Sequence, residues 1–542
     1  MSQQQSNENN AAKLIGLPLD RVDARLKVTG GTPYSAEYQI PNLAYGMLVE
    51  STITAGKIRA IDTTAAERAP GVIAVITHLN AERLARPVHQ PSGESLPVLQ
   101  EPNIFYAGQH VACVVAETLE QAEYATALVR VTYDVAPYAV DMKDRLNQAM
   151  MPELRFGSSG PRVQSKRGDF ARGLNSAAVR VEETYSTPVE HHNPMEPHAT
   201  IAMWEGDNLI VYDANQGVSG ARQALAFNFG ISQDNVRVIS KYLGGGFGCK
   251  GQSWGHTTIA ALAARHVKRP VKVVLRRQQM FSSNGHRSPT MQELRLGADA
   301  DGRLTAMSHT STVHTSMMDE FIEPSGMITE MMYSCPNVDV AHRLVRVNVP
   351  TPTFTRAPGE SSGSFALESA MDELAYKLKL DPIELRERNY AEKDEGSGHP
   401  FSSKSLREAY KLGAERFGWK QRNPQPRSMR EGRWLIGYGF ASASYPANFR
   451  PAAAKATMFA DGTVLAQSGT QDVGGGMYTI ATQIVADTLG LPMNRVRFEL
   501  GDTRFPEAPV AGGSCSAAST GSAVLLAAKS FADARAGNGF AR

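Results

Sequence analysis

Three loops of small residues, each placed ahead of a helix-like run, constrain this chain more than any other feature. LGGGFGCKG covers Leu243–Gly251, the triplet Gly474–Gly475–Gly476 closes QDVGGG, and VAGGSCSAASTGSAV runs from Val510 to Val524. Adjacent glycines at a helix start let backbone N–H groups approach an anion at the helix N-terminus. A single loop of this kind is as readily a tight structural turn. Three in one chain suit a large, phosphate-containing ligand gripped from several sides. The first loop is not a Walker A sequence, because Lys250 follows Cys249 and Gly251 stands where Ser or Thr would bind Mg²⁺. It also departs from a Rossmann fingerprint, since the following strand, VKVVLRR, offers no acid for a ribose. A nicotinamide dehydrogenase is therefore the weaker alternative.

The 542 residues exceed one hydrophobic core and predict about two to four domains. Lys+Arg 56 against Asp+Glu 54 leaves a net charge of +2, which gives no reason to expect nucleic acid as a partner. The four cysteines, Cys113, Cys249, Cys335 and Cys515, form no CxxC pair and read as buried thiols. Residues 1–13 are polar and read as a disordered tail. The chain carries neither an apolar signal segment nor a membrane-length apolar run, so no membrane insertion is expected. A cytoplasmic location follows, with co-export to the periplasm beside a signal-bearing partner as the alternative.

Residues 14–150 alternate β-branched runs (MLVES, IRAIDT, GVIAVIT, HVACVVAET, LVRVTYDV) with the helical LEQAEYATALVR, an α+β unit. Met150–Gly168 is rich in Pro, Gly and Ser and reads as a linker. In a second region, 151–425, VRVISKY, the first glycine loop, HTTIAALAARHV and VKVVLRR predict strand, loop, helix and strand. FALESAMDELAYKLKL is an amphipathic helix, and Asp381-Pro382 starts another. In a third region, 426–542, ATMFADGTVLAQSGT predicts a hairpin turning at Asp461-Gly462. There QDVGGG, MYTIATQIVADTLG and VRFELGD repeat the strand, triple-glycine loop and helix of the second region in outline. The closing residues, ADARAGNGFAR, do not continue the helical pattern of SAVLLAAKSFA.

EHHNPMEPH gathers His191, His192, Glu196 and His198, but Pro194 and Pro197 exclude the regular helix on which HExxH sites are built. Hydrogen-bonded turn residues are the favoured reading there, and no direct metal ligand is assigned. Arg356-Ala357-Pro358-Gly359-Glu360, before a long helix, is either a salt-bridged turn or an anion contact.

In order, HHNPMEPH, DANQG, LGGGFGCKG, TRAPGE through FALESAMDELA, GTQDVGGG, and ELGDT through GGSCSAASTG resemble the molybdenum-binding subunit of the xanthine dehydrogenase/aldehyde oxidase family. The N-terminal GLPLDRVDARLKVTG is similar to that family's opening, and the likeness runs from about Ile15 to Ala528. The resemblance implies a multidomain α+β chain: an N-terminal α/β hammerhead-type domain, then two α+β domains that clasp molybdenum-molybdopterin, in bacteria often as the cytosine dinucleotide. It implies that Gln216 faces an oxo ligand of the metal. It places the Gly245–Gly246–Phe247–Gly248 backbone, with Arg356, beside the molybdenum. Gly474, Gly475 and Gly476, with Ser514, Cys515 and Ser516, would hold the pterin and its phosphate.

Three positions bear on substrate. Gly251 stands where purine-oxidising members carry a glutamate, Pro324 where they carry an arginine, and Pro358 where they carry a phenylalanine. Without those groups a purine lacks hydrogen bonds and a stacking face, so aldehydes, aromatic ones above all, are favoured. Arg450 would lie near the substrate mouth. The family's general base is a glutamate in a GxGE-like motif downstream of SAAST, and no such motif follows Gly521. This predicts a last domain that is truncated and a chain almost inactive as written, or alternatively a cofactor-binding relative without catalysis. The resemblance also implies a heterotrimer, in which a small 2Fe–2S subunit and an FAD-binding subunit carry electrons away.

Overall fold

The computed structural model describes residues 13–85, 95–96, 98–153, 163–446 and 448–537. The tail over residues 1–12 and the centre of the expected linker, 154–162, lie outside the described residues.

The apolar runs of the first region become strands, and one is buried at every position, its first residue, His110, included. His110–Ala116 is buried along its whole length, as expected for a strand covered on both faces. Its partners show why. It pairs antiparallel with Ala44–Glu50 and Val72–Thr77, and Ala44–Glu50 pairs in parallel with Val271–Val274. The result is one seven-stranded sheet, in the order Val236–Ile239, Asn208–Asp213, Ala199–Glu205, Val271–Val274, Ala44–Glu50, His110–Ala116 and Val72–Thr77. A sequence boundary near residue 150 thus divides strands that share one sheet. Helix Gly255–Val267 covers this sheet with a buried face of Ile259, Ala260, Leu262 and Ala263. Each buried Ile or Leu there contributes about 2 kcal/mol of burial free energy.

A five-stranded sheet, in the order Gln164–Arg167, Val338–Arg346, Leu304–Thr315, Thr290–Ala298 and Val179–Thr187, packs on helix Glu360–Leu378 through Leu367, Ala370, Met371 and Leu374. Asp381 caps the next helix, Pro382–Arg388, by accepting from Ile383 N–H, as the Asp-Pro pair predicts. The expected linker is pinned at both ends. Met150 bridges Leu344, and Gln164–Arg167 is a strand paired with Val338–Arg346. The described ends of this stretch are thus fixed at two sheet positions.

The third region builds the predicted hairpin, Lys455–Met458 against Val464–Ser468, with Val496–Leu500 added in parallel. Helices Met477–Leu489 and Ser516–Gly537 pack together with this sheet. The second helix runs on to Gly537, so ADARAG does continue the helix. Alanine-rich sequence sustains helix without a marked apolar stripe, and periodicity alone missed it.

The internal repeat is also differently aligned. Strand Asn208–Asp213, helix Val218–Phe229 and parallel strand Val236–Ile239 match strand Val464–Ser468, helix Met477–Leu489 and parallel strand Val496–Leu500. Each helix ends on a left-handed glycine, Gly230 or Gly490. The loop DANQG, and not LGGGFGCKG, therefore corresponds to QDVGGG.

Candidate functional site

The first glycine loop is held at both ends. At its start, Gly244 N–H donates to Glu196 Oε2 at 2.8 Å. At its end, Lys250 is fully buried and donates from Nζ to Glu196 Oε2 at 2.7 Å and to Glu196 O at 2.9 Å. Burial lowers the Lys250 ammonium from its usual range, and the hydrogen-bonded Glu196 opposes that shift. Between those anchors, Gly245, Phe247 and Gly248 take positive φ values of 97°, 56° and 115°. Only glycine fits at Gly248, where a Cβ would lie 1.9 Å from Phe354 O. Phe247 itself remains exposed.

Gln216, in DANQG, is buried and ties this loop to the third one. Its Oε1 accepts from Gly248 N–H at 3.1 Å, and its Nε2 donates to Ala511 O at 2.8 Å. The TRAPGE segment joins from another side, where Arg356 N–H donates to Phe247 O at 2.9 Å. Its conformation depends on Arg287, which donates to Arg356 O at 2.6 Å and to Glu323 Oε1 at 2.9 Å. Glu323 Oε1 accepts also from Gly359 N–H and Ser362 Oγ. Burial raises the Glu323 carboxyl above its usual range, with Arg287 and these donors opposing the shift. Burial, together with the Glu323 charge, raises Glu360 likewise. Pro324 is buried with its carbonyl against Gly359, and Pro358 is half-buried beside it.

The second glycine loop is organised by Asp472, whose Oδ1 accepts from Gly474 N–H at 2.8 Å and Gly476 N–H at 3.1 Å. Gly475 N–H has no acceptor among the described residues. The loop is linked to the first through Tyr478, which donates to Lys241 O at 2.9 Å. In the third loop, Cys515 is fully buried, Ser514 is exposed with a φ of 55°, and Ser516 opens the last helix. Arg450 lies on that loop's flank: its N–H donates to Ser519 Oγ at 2.9 Å, next to Asn448, which donates to Gly513 O.

The structure thus brings Gln216, Gly245–Gly248, Arg356 and the Ala511 end of the third loop into direct contact. The EHHNPMEPH side chains disperse. His192 pairs with Phe354 O and Thr355, His198 with Cys249 O, and Glu196 with Lys250, while the His191 ring packs on Phe281. Among the described residues no three His, Cys, Asp or Glu side chains converge as a metal site would require. All four cysteines are buried free thiols. Sequence reasoning missed the Glu196–Lys250 pair, Arg287 and Asp472. A lysine inside an otherwise apolar glycine loop was the one available signal for the first; Arg287 stands in GHRSPT without any.

Residues 157–390 and 412–536 each match the molybdopterin cofactor-binding domain, and residues 29–137 match the aldehyde oxidase and xanthine dehydrogenase a/b hammerhead domain. The chain is 39% identical, over 96% of its length and 70% of the relative's, to the aldehyde oxidoreductase molybdenum-binding subunit PaoC of Escherichia coli strain K12. The chain belongs to the aldehyde oxidase and xanthine dehydrogenase family. It is 27% identical, over 88% of its length and 66% of the relative's, to the xanthine dehydrogenase molybdenum-binding subunit of Escherichia coli O157:H7. In fold it is similar to quinoline 2-oxidoreductase from Pseudomonas putida 86, with a TM-score of 0.83 and 23% identity over 95% of this chain and 70% of that one.

The loops of this family member fit a molybdopterin cofactor on their own geometry. A Cβ placed at Gly474, Gly475 or Gly512 would meet nothing within 4 Å, so two of the loops open onto free space. Thr470 Oγ1, Gln471 Oε1, Asp472 Oδ2 and Thr520 Oγ1 are buried beside them without a partner among the described residues. Buried polar atoms left unpaired call for a ligand or water. Among the described residues no helix is long and apolar enough to cross a membrane.

Proposed function

We propose that this chain is the molybdenum-binding subunit of an aldehyde oxidoreductase that converts aldehydes, aromatic ones above all, to carboxylic acids. The observation that carries this reading is the junction at Arg356 N–H and Phe247 O, where the cofactor loop meets the segment flanked by Pro324 and Pro358. Two prolines at this junction, and Gly251 after Lys250, leave few side-chain groups to recognise a purine's polar edge. The higher identity to an aldehyde oxidoreductase subunit than to a xanthine dehydrogenase subunit supports the same choice.

The molybdenum cofactor, proposed in its cytosine dinucleotide form, supplies the two-electron oxidation with water as the oxygen source when bound. The chain's own residues hold and orient it. Gln216 spans two loops and keeps one amide N–H free of the Ala511 bond. The backbone of Gly245–Gly248 is fixed between Glu196, Lys250 and Arg356. Gly474–Gly476 and Ser514–Ser516 would take the pterin and phosphate, and Arg450 the rim of the substrate mouth. Glu196, Glu323 and Glu360 serve the loops, and none is assigned as general base. Four separate buried thiols cannot build an iron–sulfur cluster. Electrons therefore pass to a 2Fe–2S subunit and on to an FAD subunit in a heterotrimer.

The test is steady-state turnover by the assembled enzyme from its native source, with benzaldehyde and xanthine compared. Benzaldehyde should be preferred in kcat/KM by about a hundredfold or more. Equal or greater turnover of xanthine would overturn the substrate assignment.

A further inference from the structure

The segment Leu14–Asp23, although it belongs by sequence to the N-terminal region, lies along helix Met477–Leu489 of the third. It runs against the helix direction. Ile15 N–H and Leu14 N–H donate to Asp487 Oδ1, Gln483 Nε2 donates to Leu14 O and Leu17 O at 3.1 Å each, and Val22 N–H donates to Thr479 Oγ1 at 3.1 Å. This strap delivers Arg21 to the N-terminal end of the helix. There Arg21 Nη2 donates to Gly474 O at 2.6 Å, and the guanidinium lies 3.6–3.9 Å from where a Cβ on Gly476 would be.

That placement sets a cation against the positive end of the helix, a repulsion that the nearby Asp472 carboxylate offsets only in part. A helix N-terminus carries about half a positive charge, which repels a cation. Among the described residues the guanidinium has no ion pair, and Gly474 O is its one hydrogen-bond partner. Asp472, the acid of the loop, spends Oδ1 on the N–H groups of Gly474 and Gly476. Independently of the helix end, Thr470 Oγ1, which can donate to a phosphate, is buried on the same loop without a partner among the described residues, as are Gln471 Oε1 and Asp472 Oδ2, which only accept and so suit N–H groups of the same ligand. Gly475, beside them, faces open space, and its N–H has no acceptor among the described residues.

We propose that Arg21 is a phosphate-binding residue of the cofactor site, brought by the N-terminal strap to close the Gly474–Gly476 loop over the phosphate-bearing end of the cofactor. This rests on the reading of that loop as a phosphate cradle. A guanidinium suits the task, since its fork can bind two phosphate oxygens while one N–H stays on Gly474 O. The N-terminal region thereby contributes to a site that the third region builds.

The experiment measures molybdenum and phosphate retained per subunit in the holoenzyme during timed gel filtration at rising salt. Wild type, Arg21→Gln, Arg21→Lys and Gly475→Asp are compared. Arg21→Gln should release the cofactor about tenfold faster, with a weaker dependence on salt, and Arg21→Lys should recover part of the loss. Thermal unfolding of the cofactor-free subunit should be the same for Arg21→Gln and wild type. Gly475→Asp, which has room for its side chain but sets a carboxylate where the phosphate would lie, should lose the cofactor outright. If Gly475→Asp loses the cofactor while Arg21→Gln keeps it, the Arg21 inference falls and the loop reading stands. If both keep it, the loop reading falls and takes the inference with it. Faster release accompanied by an equal loss of cofactor-free stability, with no recovery in Arg21→Lys, would make Arg21 a structural residue of the strap and overturn the proposal.

Discussion

Gln216 and Ala511 clasp each other twice: Gln216 Nε2 donates to Ala511 O, and Ala511 N–H donates to Gln216 O, both at 2.8 Å. A third bond, from Gly248 N–H to Gln216 Oε1, extends the clasp to the first glycine loop. One buried amide therefore sets the spacing of two loops far apart in sequence. Gln216→Ala leaves Gly248 N–H and Ala511 O unpaired, a cost of about 1–3 kcal/mol. Urea unfolding should show that loss, and molybdenum content should fall with it. Unchanged stability would mean the two loops hold their spacing without Gln216.

Gly248 tolerates no side chain. With a φ of 115°, and with Phe354 O only 1.9 Å from where a Cβ would stand, Gly248→Ala must displace the loop from the TRAPGE segment. The expected cost exceeds about 3 kcal/mol. Cofactor content measured on the purified variant should drop sharply, and full retention would show that this close approach is not needed.

The Glu196–Lys250 pair makes a prediction about coupling. Lys250→Met strands the Glu196 carboxylate inside the protein and should cost about 3–5 kcal/mol, whereas Glu196→Gln combined with Lys250→Met should cost far less than the sum of the two single changes. A double-mutant cycle by chemical denaturation measures this directly. Additive single effects would mean that the two side chains do not act as a pair.

Buried histidines set the acid limit of the fold. Burial lowers His110, His192 and His314 to about 4, and His256 and His309 to about 3, from an ordinary 6.5. Below pH 6.5 the unfolded chain binds protons that the folded chain refuses. Stability is therefore full above pH 6.5 and is lost as pH falls toward 4, by up to about 1.4 kcal/mol per pH unit for each histidine. Asp213, raised to about 6 by burial, acts in the opposite sense, since its contribution is lost as pH rises through 6. Burial raises Glu50, Glu323 and Glu360 in the same sense as Asp213, but it also lowers His78, His191, His198 and His286, so nine imidazoles against four carboxyls leave the histidines dominant. Urea unfolding at pH 7.5, 6 and 5 should show a steep decline that His309→Gln makes shallower; a flat profile would refute the assignment.

Much of this molecule was legible in one dimension. Runs of β-branched residues located the strands, Asp381-Pro382 placed a helix start, and Asp461-Gly462 placed a hairpin turn, because each of these depends on neighbours in sequence. The glycine loops could be found, and their collinear order named the family. What remained hidden depended on partners distant along the chain. Alternation shows which face of a strand is apolar and not which strand will lie beside it, so the parallel pairing of Ala44–Glu50 with Val271–Val274 could not be read. The repeat was misaligned for the same reason: GGG matched GGG by composition, while the parallel strand pairs match DANQG to QDVGGG.

The site divides in the same way. Sequence determined which backbone could approach an anion, because glycine's conformational freedom is local. Tertiary structure decided which of those N–H groups are already taken, by Asp472 on one loop and by Gln216 on another, and which charges stand beside them. Lys250 and Glu196 look like ordinary surface charges until folding removes their water, and Arg21 like part of a loose N-terminus until the strap carries it to Gly474. Electrostatic energy depends on distance and dielectric, and both are properties of the folded chain.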